Sequence, residues 1–528
     1  MRIFKTLLLG CLAALCLTGC GSQIECTWPM DRVPTNLDPQ LAAESPELIA
    51  VTNLYSGLFR LDENGQPQPD CAAAYTVSSD GLTYTFTLKE GLAYTQNRGQ
   101  AAEDYPLTAA DFVFALRRVF RAETNSPYTD TYAAIANSAA VLAGQLGEEQ
   151  LGVSAPDAQT LVIRLDSPDP QLLYKLSLPG AMPCNQAFFE STQGAYGLSR
   201  AATLGNGSFY VYNWNDNGLF LRRAANGDAV TALRLVRNAT ADSVAGSSSG
   251  GAAGAAPLQG QALVTEGGAT AALSEQLSAD GLTAIPYTAT TWSLVFNCAA
   301  SPFSSQQVRG ALAASAAGAE AQLPAGFEAA DGLIPPAVTV QGEPYRQAVG
   351  KVSGAFGEPL ALCRAGFEQL GLKRFPSVTL LVPEGADYLR LAEAVNQQWQ
   401  KDLGAFSAYF SLRQLPLEQL QAQVEAGNYQ IALLPLSPRT DSALELLRTA
   451  DVTGWDDAAY QGQIAALAAD GGHTAEELAA AERALLDGAS VVPLWYQTKA
   501  LLVQPQVEGL VFRPFGPVLD LTWATLKE

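Results

Sequence analysis

Between Ser78 and Arg121 the chain changes its hydrophobic period, and this constrains the fold more than any other feature. After the turn pair Asp80-Gly81, Leu82, Tyr84, Phe86 and Leu88 alternate with Thr83, Thr85, Thr87 and Lys89. A period of two describes a strand with one apolar face and one hydroxyl-rich face. A polar loop follows. Thr108 and Asp111 then stand at Thr-x-x-Asp spacing, which lets the two side chains satisfy N–H groups of a first helical turn. The spacing predicts a helix starting there, with Phe112, Leu116, Val119 and Phe120 on one side and Arg117 and Arg118 partly free to reach solvent.

At 528 residues the chain is too long for a single core, and two or three domains are expected. The formal charge of −21 argues against a nucleic-acid-binding surface, because phosphate contacts need clustered Lys and Arg. Acidity on this scale favours solubility and says little about fold. At the start, Arg2 and Lys5 precede an apolar run from Leu7 to Leu17. The run is short for a bilayer span and reads as the hydrophobic part of a signal peptide, residues 1–19. Leu17-Thr18-Gly19-Cys20 is similar to the bacterial lipobox, which implies a lipid on Cys20 after cleavage. No later segment is long and apolar enough for a transmembrane helix. Of eight cysteines, five lie beyond Cys20, with no Cys-x-x-Cys spacing, so neither a zinc site nor a disulfide framework is expected.

Ser78-x-Asp80-Gly81-Leu82-Thr83-Tyr84-Thr85-Phe86-x-Leu88, followed by Leu107-Thr108-Ala109-x-Asp111-Phe112-Val113-Phe114-Ala115-Leu116-Arg117-Arg118, resembles a known signature. It is that of the peptide- and nickel-binding family of extracytoplasmic solute-binding proteins, the receptors of ABC importers. Leu37-Asp38-Pro39 and Tyr55-Ser56-Gly57-Leu58 resemble the family's opening blocks. Ser126-Pro127-Tyr128, and Leu151-Gly152-Val153 ahead of the strand Thr160 to Leu165, resemble its oligopeptide-binding branch. Further blocks are the hairpin Gly205 to Trp214, Phe296-Asn297, Pro302-Phe303, Val308-Arg309-Gly310-Ala311-Leu312 and the tail Val491 to Tyr496. One block departs: Arg223 to Asp228 stands where the family has Asn-Pro-x-Tyr-Trp.

The resemblance implies an α/β, two-lobed periplasmic-binding-protein-like (type II) fold, with a hinge of crossing strands and an extra small domain. On that pattern residues 20–60 and 181–285 form lobe I, 61–180 the small inserted domain, 286–490 lobe II, and 491–528 strands closing lobe I. It also implies a lipid-anchored, monomeric receptor that closes over an oligopeptide and serves ABC permease and ATPase subunits, without a cofactor or metal. The peptide main chain would pair with two exposed edges, at Ala43, Glu44 and Ser45 and at Leu436, Ser437 and Arg439, with Tyr128 lining the cleft. Leu436 stands where the family has a tryptophan, and Arg439 where an aspartate takes the peptide's ammonium. Asp441 is placed to substitute for that aspartate if the loop is shifted. Pro435 and Pro438 remove two N–H donors from the same edge. These departures leave two alternatives open: a non-peptide solute, or a degenerate member acting as a sensor or surface interaction protein.

Catalysis finds little support. Gly246-Ser247-Ser248-Ser249-Gly250 fits the hydrolase elbow pattern but lies in the low-complexity stretch 241–256, with no strand before it. The only histidine, His473, precedes Thr474 and Glu477, a capping box, and is expected exposed ahead of a helix.

Overall fold

The strand expected after Asp80-Gly81 runs over Thr83–Leu88, and the capped helix over Ala109–Val119. The computed structural model describes residues 25–30, 32–63, 65–95, 101–224, 230–237, 264–268, 283–319, 322–438, 441–469, 473–503, 507–515 and 519–526. The signal segment, Cys20, the Gly-Ser-rich stretch and Arg439 lie outside the described residues. Thr83–Leu88 pairs antiparallel with Ala72–Val77 on one side and Thr160–Arg164 on the other, and Val153–Ser154 completes the sheet. Phe86 and Leu88 share one core with Phe112, Leu116, Val119 and Phe120 of the helix. That core draws its residues from Leu58 to Ala181, together with Leu204. Burial of each such side chain stabilises the fold by about 1.5–3 kcal/mol.

One expectation is corrected here. Arg118 does not reach solvent; its guanidinium is buried against the Asp38 carboxylate, at 2.5 Å, and over the Phe189 ring, at 4.2 Å. A helical pattern assigns an arginine to the outside, and only a carboxylate from elsewhere in the chain reverses the assignment.

A second core belongs to lobe I. Glu25–Met30 lies parallel to Ala232–Arg237, which continues antiparallel through Gly218–Arg223 to Phe209–Asn215. The helix Ser45–Leu54 packs on this sheet, and so do Leu501, Val503, Leu519, Leu521 and Ala524 from the tail. Polar bolts hold the tail there. Asn53 donates to the Leu519 carbonyl at 2.8 Å and accepts from the Leu521 N–H at 2.9 Å. Arg60 pairs with buried Asp520 at 2.6 Å. Arg223, at the block that departs from the family pattern, donates to the carbonyls of Val230, Leu521 and Thr522.

Two long strands cross between the lobes. Thr283–Phe296 and Val491–Val503 pair antiparallel along most of their length. Val491–Val503 carries Leu501 and Val503 into that core at one end and Val491 into lobe II at the other, where Val295 of its partner strand joins it. The lobe II sheet runs outward from Thr283–Phe296 through Ile431–Leu436 and Thr379–Pro383 to Ser411–Leu415. The last two strands are parallel, and the helix Ala386–Leu403 makes the crossover that parallel pairing requires. Ile431 and Leu433 face one side of the sheet, Ala432 and Leu434 the other, so lobe II has a core on each face. The first crossing strand is buried from Thr291 to Phe296. Its Thr283-to-Thr290 half is mostly solvent-facing and lacks the apolar pattern that marks a core strand.

Candidate functional site

The first group of site residues grows from the turn at Leu37-Asp38-Pro39. The Asp38 carbonyl accepts from the N–H groups of Leu41 and Ala42, each at 3.0 Å, and this coils the chain just ahead of Ala43. Glu44 is extended, and Ser45 opens the helix Ser45–Leu54, with proline in the first turn where no N–H is needed. The N–H groups ahead of Leu48 have no partner within the helix, so an edge formed by this segment ends in its first turn. Glu44 is exposed and pairs with Arg32 at 2.9 Å, and Arg32 also grips buried Glu47 at 2.6 Å.

Tyr128 meets this segment from the small domain. Its ring is largely buried, and its hydroxyl donates to the Ala42 carbonyl. Ser126 donates its hydroxyl to the Gln40 carbonyl at 2.7 Å. Arg118 completes the set, donating to the Gln40 side chain at 2.6 Å as well as to Asp38. Burial works against the Arg118 charge, but Asp38 more than offsets this and the guanidinium is held firmly protonated. Burial also pushes the thiol of neighbouring Cys184 up to about 12, so it stays a neutral neighbour of Arg118. The sequence reading singled out Tyr128 and Ala43 to Ser45 but missed Ser126 and Arg118 as their supports. The Ser-x-Tyr spacing was the one local signal available.

The second group sits at the end of a lobe II strand. Leu436 closes Ile431–Leu436, opposite Thr291 of the first crossing strand, and packs at the edge of the core. Exposed Ser437 donates to the Thr290 hydroxyl at 2.8 Å. Asp441 accepts from the Thr339 N–H at 2.7 Å and from the Thr339 hydroxyl, so each carboxylate oxygen already holds one hydrogen bond. The two groups thus belong to different cores. Tyr174 of the small domain lies within electrostatic reach of Arg513 of the tail and of Asp441. Arg513 donates to the carbonyls of Leu61 and Asp62, both at 3.1 Å. Burial raises the Tyr174 phenol, while Arg513 lowers it and Asp441 raises it; the phenol lies within electrostatic reach of a group from lobe I and a group from lobe II.

Elsewhere the chemistry is structural. His473 is partly buried, its carbonyl accepts from Gln341 at 3.1 Å, and Thr474 caps the helix Ala475–Asp487. Among the described residues no group of three or more His, Cys, Asp or Glu is placed to hold a metal ion, and the five described cysteines form no disulfide. No helix among them is long and apolar enough to cross a membrane.

A family model described as "Bacterial extracellular solute-binding proteins, family 5 Middle" matches residues 66–456. The chain is similar to the dipeptide-binding protein DppE of Bacillus subtilis (strain 168), 24% identical over 509 residues that cover 93% of this chain and 90% of that one. It superposes on the substrate-binding domain of an oligopeptide ABC transporter from Bacillus anthracis str. Ames with a TM-score of 0.76, at 22% identity, over 96% of this chain and 99% of the other. Two structures of the Escherichia coli murein tripeptide binding protein MppA, at 22% identity, cover 96% of this chain and 99% and 98% of their own. The first gives a TM-score of 0.72, and the second, an unliganded open form, gives 0.60.

Proposed function

Because the chain belongs to family 5 of the bacterial extracellular solute-binding proteins, which are binding proteins and not enzymes, we propose that it captures oligopeptides for an ABC importer. It does so as a monomer anchored by a lipid on Cys20, and it delivers its ligand to permease and ATPase subunits. The peptide lies between the lobes. Its main chain pairs with the segments at Ala43 to Ser45 and Leu436 to Arg439, and its side chains occupy hydrated space, which favours affinity over sequence preference. The names of the similar proteins support a peptide ligand.

The observation that carries this reading is the pair of crossing strands: Val491–Val503 reaches from the lobe II core to the lobe I core, and Thr283–Phe296 pairs with it along most of its length. Bending there changes the gap between the two segments while leaving the cores intact, and a ligand that touches both segments favours the closed form.

A second reading, a solute without a free amine, is favoured by one observation. Asp441, the carboxylate nearest the family's ammonium position, already accepts two hydrogen bonds from Thr339. A hydrogen bond to a charged group is worth about 1.5–3 kcal/mol, so its loss costs roughly tenfold to a hundredfold in affinity for an amine. Native mass spectrometry of the purified protein separates the readings. A ladder of peptide masses is expected. A single non-peptide mass would select the second reading, and a protein that neither carries nor takes up any peptide would contradict the first.

A further inference from the structure

We propose that the small domain is a positioning clamp for the first ligand segment, with Arg118, Ser126 and Tyr128 as its jaws. The inference rests on the peptide reading above and says which residues set the geometry of that site. Ser126 and Tyr128 bond alternate carbonyls, those of Gln40 and Ala42, from one side. Arg118 holds the side chains of Asp38 and Gln40 from within, and the Gln40 amide in turn donates to the carbonyls of Gly180 and Met182 at 3.3 and 3.0 Å. Gly180 matters for a related reason: a methyl group there would stand 2.6 Å from the Tyr128 ring, so only glycine lets the ring lie where its hydroxyl reaches Ala42.

The consequence follows from peptide planarity. In a trans peptide the C=O and the next N–H point in opposite directions. Fixing the Ala42 carbonyl on Tyr128 therefore aims the Ala43 N–H away from the small domain, and this is the first donor of the segment assigned to the ligand. Tyr128 then acts on the ligand through the main chain. Ser126, buried and engaged with Gln40 and with the Tyr128 N–H, cannot touch the ligand at all.

This distinction makes the test. Tyr128→Phe and Ser126→Ala, singly and together, are made in the full chain. Amide exchange over residues 38–45 is followed without ligand, and binding of tetra-alanine by calorimetry. Both single variants should speed exchange at Leu41 and Ala42, weaken tetra-alanine by about threefold to tenfold, and combine non-additively, with little change in Tm. Unchanged exchange in both variants would overturn the clamp. So would weakened binding in Tyr128→Phe alone, since that marks a direct contact. If the wild type takes up no tetra-alanine, that outcome counts against the peptide reading, and the exchange measurement alone decides the clamp.

Discussion

Asp111 has two hydrogen-bonding neighbours, Thr108 and Asn185, that favour its charge, and burial that opposes it. It caps the helix Ala109–Val119, accepting from the Thr108 N–H at 2.6 Å and from Asn185 at 3.1 Å. It is also only 5% exposed, and burial prevails, raising its carboxyl to about 6. A carboxyl raised in this way stabilises the fold fully below its unfolded value near 4, and that contribution is lost as pH rises through about 6. Asp111→Asn removes the titration. The stability of the wild type relative to this variant should therefore fall by about 2–3 kcal/mol between pH 4 and pH 7, read from denaturant midpoints. A flat difference would show that the capping bonds outweigh burial. The capping box was legible because its partners stand three residues apart. The Arg118–Asp38 pair was not, since 80 residues separate its members and no local period reports such a partner.

At the scale of elements, periodicity revealed the strands that lie in cores and understated those that leave them. Ile431–Leu436 is apolar throughout, the kind of run that reads as a buried strand. The Thr283-to-Thr290 half of the first crossing strand and the full run of Val491–Val503 do not read so, because main-chain pairing, rather than burial of an apolar face, holds the strand between lobes. Arg309 shows how lobe II secures one such strand. It sits fully inside the fold on the helix Gln306–Ala316 and donates to the Gly488 carbonyl at 2.7 and 3.1 Å and to Phe303 at 2.6 Å. Gly488 lies just ahead of Val491–Val503, so the guanidinium bolts a helix to the entry of the hinge. Arg309→Ala strands two buried carbonyls and should cost about 2–4 kcal/mol in denaturant unfolding. Arg309→Lys should recover less than half of this, because an ammonium cannot reproduce the planar fork. Full recovery by lysine would mean that charge alone matters there.

At the scale of the molecule, separate hydrophobic cores are joined by two long strands, and the residues proposed for the site are divided between those cores. Tyr128 and the segment ending at Ser45 form one hydrogen-bonded unit on the small domain and lobe I, while Leu436, Ser437 and Asp441 belong to lobe II. The order of the sequence blocks predicts a division into lobes; how far apart the groups stand was not legible, because the hinge angle is a property of no single segment. Tyr174 lies within electrostatic reach of both Arg513 and Asp441. Small-angle X-ray scattering, with and without a saturating pool of short peptides, tests the closure most directly. The account predicts that the radius of gyration falls on addition of the pool while the molecular mass stays that of one chain. Superimposable profiles under conditions where calorimetry shows the site filled would contradict it.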